Sequence, residues 1–230
     1  MPHKKVSHPV RRRRYIEAFK RASIAGRACP QDPGLREVYD SLTKTPVRLI
    51  CSPMDKVMNH GGLLRIAEAF RLDMVSFANE PSGEKDFSGA RGTWDWQPYE
   101  WKDPLEAVRE ASSQGRRIYC LTLDERAKPY TDIEWQFPAA LVVGEEEFGI
   151  HPDVQALADE TVAIPLYGLI TSMNVGQAAA IVLAAMVASC RETEPVRNVS
   201  RGLLGLEPVS YDLSADPSGI DADGENSDGV

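Results

Sequence analysis

Ala139-Ala140-Leu141-Val142-Val143-Gly144-Glu145-Glu146-Glu147-Phe148-Gly149-Ile150 is the stretch of this 230-residue chain that says most about its fold. An apolar run of five residues reads as a strand. It stops abruptly at a glycine and three consecutive carboxylates. In open α/β sheets ligands bind beyond the carboxyl ends of the strands, so this junction is a candidate site. Three adjacent acids repel one another unless a cation is near or they point to water, and solvated turn acids are the plain alternative.

Similar runs lie on both sides. Val47–Cys51, Met74–Ala78, Arg117–Leu123 and Thr161–Ile164 read as further strands. Between them, Gly61–Phe70 has apolar residues at helical spacing, and Asp103 caps a helix over Pro104–Gln114 that Gly115 follows. Pro152–Ala158 reads as a short helix, Asn174–Ser189 as a long Ala-rich one, and Ser82–Trp101 mostly as loop. Strands alternating with helices make an α/β fold, a mostly parallel sheet flanked by helices.

Composition bounds the rest. Apolar residues make up 43% and charged residues 26% of the chain, values of a globular protein with a real core. No stretch approaches the roughly 18–20 apolar residues of a membrane span, and the N-terminal charges have no apolar segment behind them, which argues against a secretory signal. Cys29, Cys51, Cys120 and Cys190 lie far apart without a C-x-x-C pair, which argues against structural zinc and fits a reducing, cytoplasmic setting.

The charge of −8 is unevenly spread. Residues 1–71 hold 15 Lys/Arg against 6 Asp/Glu, residues 72–191 hold 9 against 19, and residues 192–230 hold 2 against 9. The organisation read from this is a basic extension over residues 1–45, a domain over 46–191 and an acidic tail over 192–230 that reads as disordered. In the extension, Tyr15–Ala28 has helical spacing with a basic face, and a second helix is expected over about 34–42. Arg11–Arg14, Lys20, Arg21 and Arg27 suit a polyanion, and a solvated arm is the bland reading.

Two more segments carry candidate chemistry. Asn59-His60-Gly61-Gly62-Leu63-Leu64-Arg65 follows a strand and opens a helix, where backbone N–H groups can meet an anion. It is neither a P-loop nor a dinucleotide fingerprint. Ile164-Pro165-Leu166-Tyr167-Gly168-Leu169-Ile170-Thr171-Ser172-Met173-Asn174-Val175-Gly176 joins a strand to a helix start, and Ser172 or Asn174 as a helix cap is a sound structural reading. His60 and His151 beside glycine-rich turns read as surface histidines.

Together and in this order, the three segments resemble the signature motifs of the SpoU-TrmH family of knotted RNA 2'-O-ribose methyltransferases. Asn59 with Arg65 six residues on is similar to the first motif. Gly144, Glu146 and Gly149 match the G-x-E-x-x-G of the second. Ile164, Pro165, Gly168, Ser172, Asn174 and Val175 match the third, with Met173 in place of a leucine and Thr171 where the nearer relatives tend to carry arginine. Asn59–Phe70 and Ile164–Gly168 are also similar to the branch that methylates a D-loop guanosine of tRNA.

The resemblance implies a C-terminal trefoil knot over about 139–189. It implies S-adenosylmethionine held in loops at Gly144, Ile164 and Met173, no metal, and a homodimer acting on RNA, tRNA above all. By motif position Arg65 is the catalytic arginine, Asn59 and Asn174 orient substrate or Arg65, Ser172 holds the loop or ligand, and Glu146 organises the site. Ribosomal RNA as substrate and a catalytically silent knotted RNA-binding protein are the alternatives. Trp94, Trp96 and Trp101 read as core or dimer packing before base stacking.

Overall fold

The structure is a computed structural model that describes residues 37, 39–40, 43–54, 56–80, 90, 92–145 and 148–190. The chain divides into two units, 1–193 and 194–230, and the second lies wholly outside the described residues. So do the expected arm helix at 15–28 and most of the extension, whose residues 37, 39 and 40 are helical.

Seven strands form one sheet: β1 (Thr45–Cys51), β2 (Leu72–Phe77), β3 (Tyr99–Trp101), β4 (Arg117–Leu121), β5 (Lys128–Pro129), β6 (Ala139–Val143) and β7 (Glu160–Ala163). Among the described residues the α-helices α1 (Val57–Ala69), α2 (Pro104–Ser113), α3 (Pro152–Gln155) and α4 (Val175–Cys190) accompany them. The strand order is β3-β2-β1-β6-β4-β7-β5, and every ladder is parallel. The mostly parallel α/β sheet is therefore present as expected. The late strand β6 is inserted between the earlier β1 and β4, in register from Val47 opposite Ala139 to Cys51 opposite Val143.

Strand alternation assigns the faces. Val47, Leu49, Leu141 and Val143 point to the side covered by α1 and α4, where they meet Leu63, Leu64, Ala67, Val182, Leu183 and Met186. Ile50, Ile118, Cys120, Ala140 and Val142 point to the other side, against Ala107, Val108 and Ala111 of α2 and Val154 of α3. Full burial of a Leu or Met side chain contributes about 1.5–3 kcal/mol, so these two layers dominate the stability. Cys51 and Cys120 are free thiols. Burial pushes the Cys51 thiol up, and that of Cys120 up to about 12.

Local signals explain α2. Asp103 accepts from the backbone N–H groups of Leu105 at 2.9 Å and Glu106 at 3.2 Å, and Pro104 occupies the first turn. Helix α1 differs from the expected Gly61–Phe70: it begins at Val57, with no side-chain cap on Lys56. Asn59-His60-Gly61-Gly62 thus lies inside the first turns, and the reading of glycines ahead of a helix, free to cradle an anion, is corrected. His60 is corrected as well. It is fully buried, its Nε2 3.1 Å from the Asn79 carbonyl oxygen and its ring 5.1 Å from that of Phe77. His151 is exposed and accepts from the Asp153 N–H at the start of α3. Ser82–Trp101, read mostly as loop, contains the edge strand β3. Trp96 is buried, Trp101 packs 5.5 Å from Phe77, and Trp94 is exposed.

A partly exposed ionic cluster around the buried Arg48 sits on the α2 side. Arg48, 3% exposed, donates through Nε to Ser76 Oγ at 2.9 Å and pairs with Glu100 and with Glu110 at 3.3 Å. Lys102 pairs with the same two glutamates. The cluster ties the edge strand β3 to β1 and α2.

Candidate active site

The second motif folds as a pinched loop beyond β6. Glu145 and Gly149 form an isolated antiparallel bridge, each backbone N–H donating to the other's carbonyl at 3.0 Å. Gly144 is forced by this pinch: a Cβ there would lie 2.4 Å from the Gly149 carbonyl carbon and 2.8 Å from its Cα. Gly149 has φ +68°, the left-handed region that glycine adopts without strain. Glu146 and Glu147 fall outside the described residues, so the expected organising role of Glu146 does too.

The third motif begins at the end of β7 and ends on α4. Asn174 caps that helix, its Oδ1 accepting from the N–H groups of Gly176 at 2.9 Å and Gln177 at 3.4 Å. Its Nδ2 donates to Asn59 Oδ1 at 3.0 Å. The capping reading of Asn174 is correct, and the same amide does more: it starts α4 and bolts it to α1.

A cavity of about 320 Å³ lies beyond the carboxyl ends of β4, β6 and β7. Gly144, Ile164, Ser172 and Met173, four of the residues singled out in the sequence, line it together. Leu121, Val143, Leu166, Val175 and Ala178 make most of its wall apolar. Its described lining holds no Lys, Arg or His and one carboxylate, Glu145. A described lining without Lys, Arg or His offers a phosphate no charged side chain. It suits an uncharged ring in an apolar slot, held by backbone groups, with a positive centre near the acid.

Arg65 is not among the residues lining the cavity. It is exposed on α1, six residues after Asn59, and α1 packs against α4, with Ile66 Cδ1 3.9 Å from a Cβ at Gly176. Two lining elements are not signalled by the motifs. Leu121-Thr122-Leu123 carries no motif, but the carboxyl-end rule applied to β4 finds it. Glu145 is the neighbour of the motif glutamate, Glu146, and nothing local distinguishes the two.

A parallel sheet with an apolar cavity at the carboxyl ends of adjacent strands is the arrangement in which open α/β proteins bind ligands. Comparison with known proteins narrows this. The model of the SpoU rRNA Methylase family matches residues 46–184. The tRNA (guanosine(18)-2'-O)-methyltransferase of Thermus thermophilus is 30% identical over 131 residues, which are 56% of this chain and 67% of that enzyme. The crystal structure of the Aquifex aeolicus TrmH/SpoU tRNA modifying enzyme superposes with a TM-score of 0.60 at 21% identity, covering 77% of this chain and 87% of that one. An AdoMet-bound rRNA methyltransferase from Sinorhizobium meliloti superposes with a TM-score of 0.58 at 18% identity, covering 69% and 61%. The chain belongs to the SpoU rRNA Methylase family.

Proposed function

We propose that this protein transfers a methyl group from S-adenosylmethionine to a ribose 2'-hydroxyl of RNA, a guanosine of tRNA being the substrate. The carrying observation is the cavity built jointly by the second and third motifs, whose described lining holds no Lys, Arg or His. Bound S-adenosylmethionine supplies an electrophilic methyl on a positively charged sulfonium. The residues fit it: Gly144, Ile164 and Met173 offer backbone and apolar surface, Ser172 a hydroxyl, and Glu145 a charge of the right sign.

The rest of the reaction falls to side chains that place the ribose and its proton. A guanidinium carries five N–H donors and no acceptor, so the role of Arg65 is to clamp a substrate phosphate or stabilise the developing 2'-oxyanion. Asn59 and Asn174 act through it: their hydrogen bond sets α1, and with it Arg65, against α4. Glu146 is assigned an organising role by motif position alone.

The partners belong to the same proposal. Leu123, Phe148, Tyr167, Leu169 and Ile170 are large, exposed and gathered near the cavity and its third-motif loop, a surface suited to a second copy of the chain. The basic residues 1–45 supply phosphate contacts. The compartment is read as the cytoplasm from the cysteine usage, and no described helix is long and apolar enough to cross a membrane. The segment 139–189 is taken as the family's trefoil knot.

The test is methyl transfer from labelled S-adenosylmethionine to unmodified tRNA and, separately, ribosomal RNA, with the modified nucleotide mapped. Arg65→Ala should lower transfer by about 10²- to 10³-fold. Because Arg65 is exposed, its removal should change stability by less than about 0.5 kcal/mol. Labelling of ribosomal RNA alone would move the substrate assignment. Cofactor binding with no labelling of either RNA would favour the silent RNA-binding protein.

A further inference from the structure

Helix α1 is bolted near its start to α4 by Asn59. Its far end is held too, by a residue of the N-terminal extension. Tyr39 donates its hydroxyl to Glu68 Oε1 at 3.2 Å. The Arg71 guanidinium lies over the Tyr39 ring, 4.1 Å from its centroid, and donates to the Tyr39 carbonyl oxygen. The same ring meets Trp96 edge-on at 4.8 Å.

Arg71 is an unusual choice at its position. It follows the end of α1 with φ +53°, in the left-handed region. Glycine is the usual residue there, and a side chain is strained. The long side chain is nevertheless 3% exposed and wrapped onto Tyr39. Its use is the grip. Glu68, on the last turn of α1, is buried enough that its carboxyl is held above the usual range, and the charge of Arg65 acts on it. Arg65 and Glu68 are three residues apart, about 4.5 Å along the helix axis.

We propose that Tyr39 is a positioning residue: with Glu68 and Arg71 it fixes the root of the basic N-terminal segment to the helix that carries Arg65, so that phosphates bound by that segment are presented to Arg65. This rests on the RNA reading above. Arg27 is twelve residues before Tyr39, at most about 40 Å of extended chain. Releasing the root lowers the effective concentration of the arm at the site without touching a cofactor-binding residue.

The test uses the full chain, tRNA transcript and S-adenosylmethionine, with four readouts: cofactor affinity, melting temperature, RNA affinity against salt, and single-turnover transfer. Arg71→Gly removes the grip and relieves the backbone strain, so it is the variant that keeps the fold if Tyr39→Ala loses it. Both should leave cofactor affinity within twofold and weaken RNA binding about fivefold to tenfold, with a shallower salt dependence. Tyr39→Phe, which keeps the ring contacts, should retain most of the affinity. The decisive arm is a cycle with Arg11, Arg12, Arg13 and Arg14 all changed to Ser: a latch that works through the arm gives strongly non-additive losses. Additive losses, or unchanged RNA binding in both Tyr39→Ala and Arg71→Gly, would overturn the proposal. A wild-type chain that binds tRNA and transfers no methyl group sinks the reaction, while the RNA-affinity cycle still decides the latch.

Discussion

Gly144, Gly149 and Gly168 sit in the motif loops, and sequence treats them alike. The structure separates them. An alanine Cβ at 144 meets the Gly149 backbone at 2.4 and 2.8 Å, where carbon contacts ordinarily lie at about 3.5–4.0 Å. The obstacle is main chain, so no side chain can turn away, and the loop must open by about 1 Å. Overpacking of this kind costs about 1–3 kcal/mol. If the pinch parts, its two bridging hydrogen bonds are lost as well, each worth about 1 kcal/mol. Gly144→Ala should therefore destabilise by about 1–5 kcal/mol, the upper part of the range applying if the pinch parts, a fall in melting temperature of about 2–20 °C for a chain this long.

The other two glycines serve as controls. Gly149→Ala meets nothing within 4 Å but is strained by its φ of +68°, at a cost of about 1–2 kcal/mol. Gly168→Ala meets neither obstacle and should be neutral or stabilise by up to about 1 kcal/mol. Calorimetric melting and titration with S-adenosylmethionine read both consequences, since the pinched loop is also cavity wall. Cofactor affinity should fall in the order 168, 149, 144, most at 144. Normal melting and normal affinity in Gly144→Ala would refute the claim that the pinch shapes the pocket.

Three further outcomes are expected. Asn174→Ala loses the α4 cap and the donor to Asn59, for about 2–3 kcal/mol by denaturant titration, while Asn174→Asp keeps the cap and should be destabilised less but still impaired in methyl transfer. Arg48→Leu removes both ion pairs of a buried guanidinium and leaves the partly exposed Glu100 to Lys102 and Ser76 and Glu110 to Lys102 and Gln114, so it should destabilise by about 1–3 kcal/mol, measured the same way. Burial raises the Glu68 carboxyl, with opposing contributions from the Tyr39 hydroxyl, Arg71 and Arg65, so the folded state binds the proton more tightly than the unfolded one. Stability owed to that proton is full below the ordinary glutamate range and declines as pH rises through the folded value. Glu68→Gln should flatten the decline of melting temperature above about pH 4.5, and an unchanged pH profile would count against the assignment.

The parts of this fold that local pattern encodes were legible: β6 ends where its apolar run ends, and α2 begins at the Asp103 cap. The start of α1 was not. Gly61 and Gly62 weaken helical propensity, and the helix is carried through them by the buried Leu63, Leu64 and Ala67. The burial of His60 has no local sign, because it depends on Phe77 and Asn79. Arg48 lies in an apolar strand with partners 52 and 62 residues away, and Asn59 finds Asn174 across 115 residues. Spacing alone holds no information about such pairs. The motif resemblance named Asn59 and Asn174 without saying that they touch.

Charge decides how an acidic protein of this kind can hold RNA. Within the domain the cations are largely engaged: Arg48 and Lys102 with Glu100 and Glu110, Arg116 with Asp73 at 2.7 Å, Arg117 with Asp159, Arg126 with Asp124, and Lys128 with Glu160. The exposed pairs add little stability, but each cancels a charge that would otherwise attract phosphate. The cavity wall adds none. Arg65 stands exposed outside these pairs, one guanidinium on the whole of α1. A few such cations give a shallow salt slope and weak binding, whereas RNA held through many phosphates needs many. The remaining positive charge is concentrated in residues 4–36, ahead of Tyr39. If, as proposed, the arm supplies most of the affinity and Arg65 acts on the ribose, the two must be held in fixed relation, and the contact between Tyr39 and the end of α1 is where the described chain joins arm to domain.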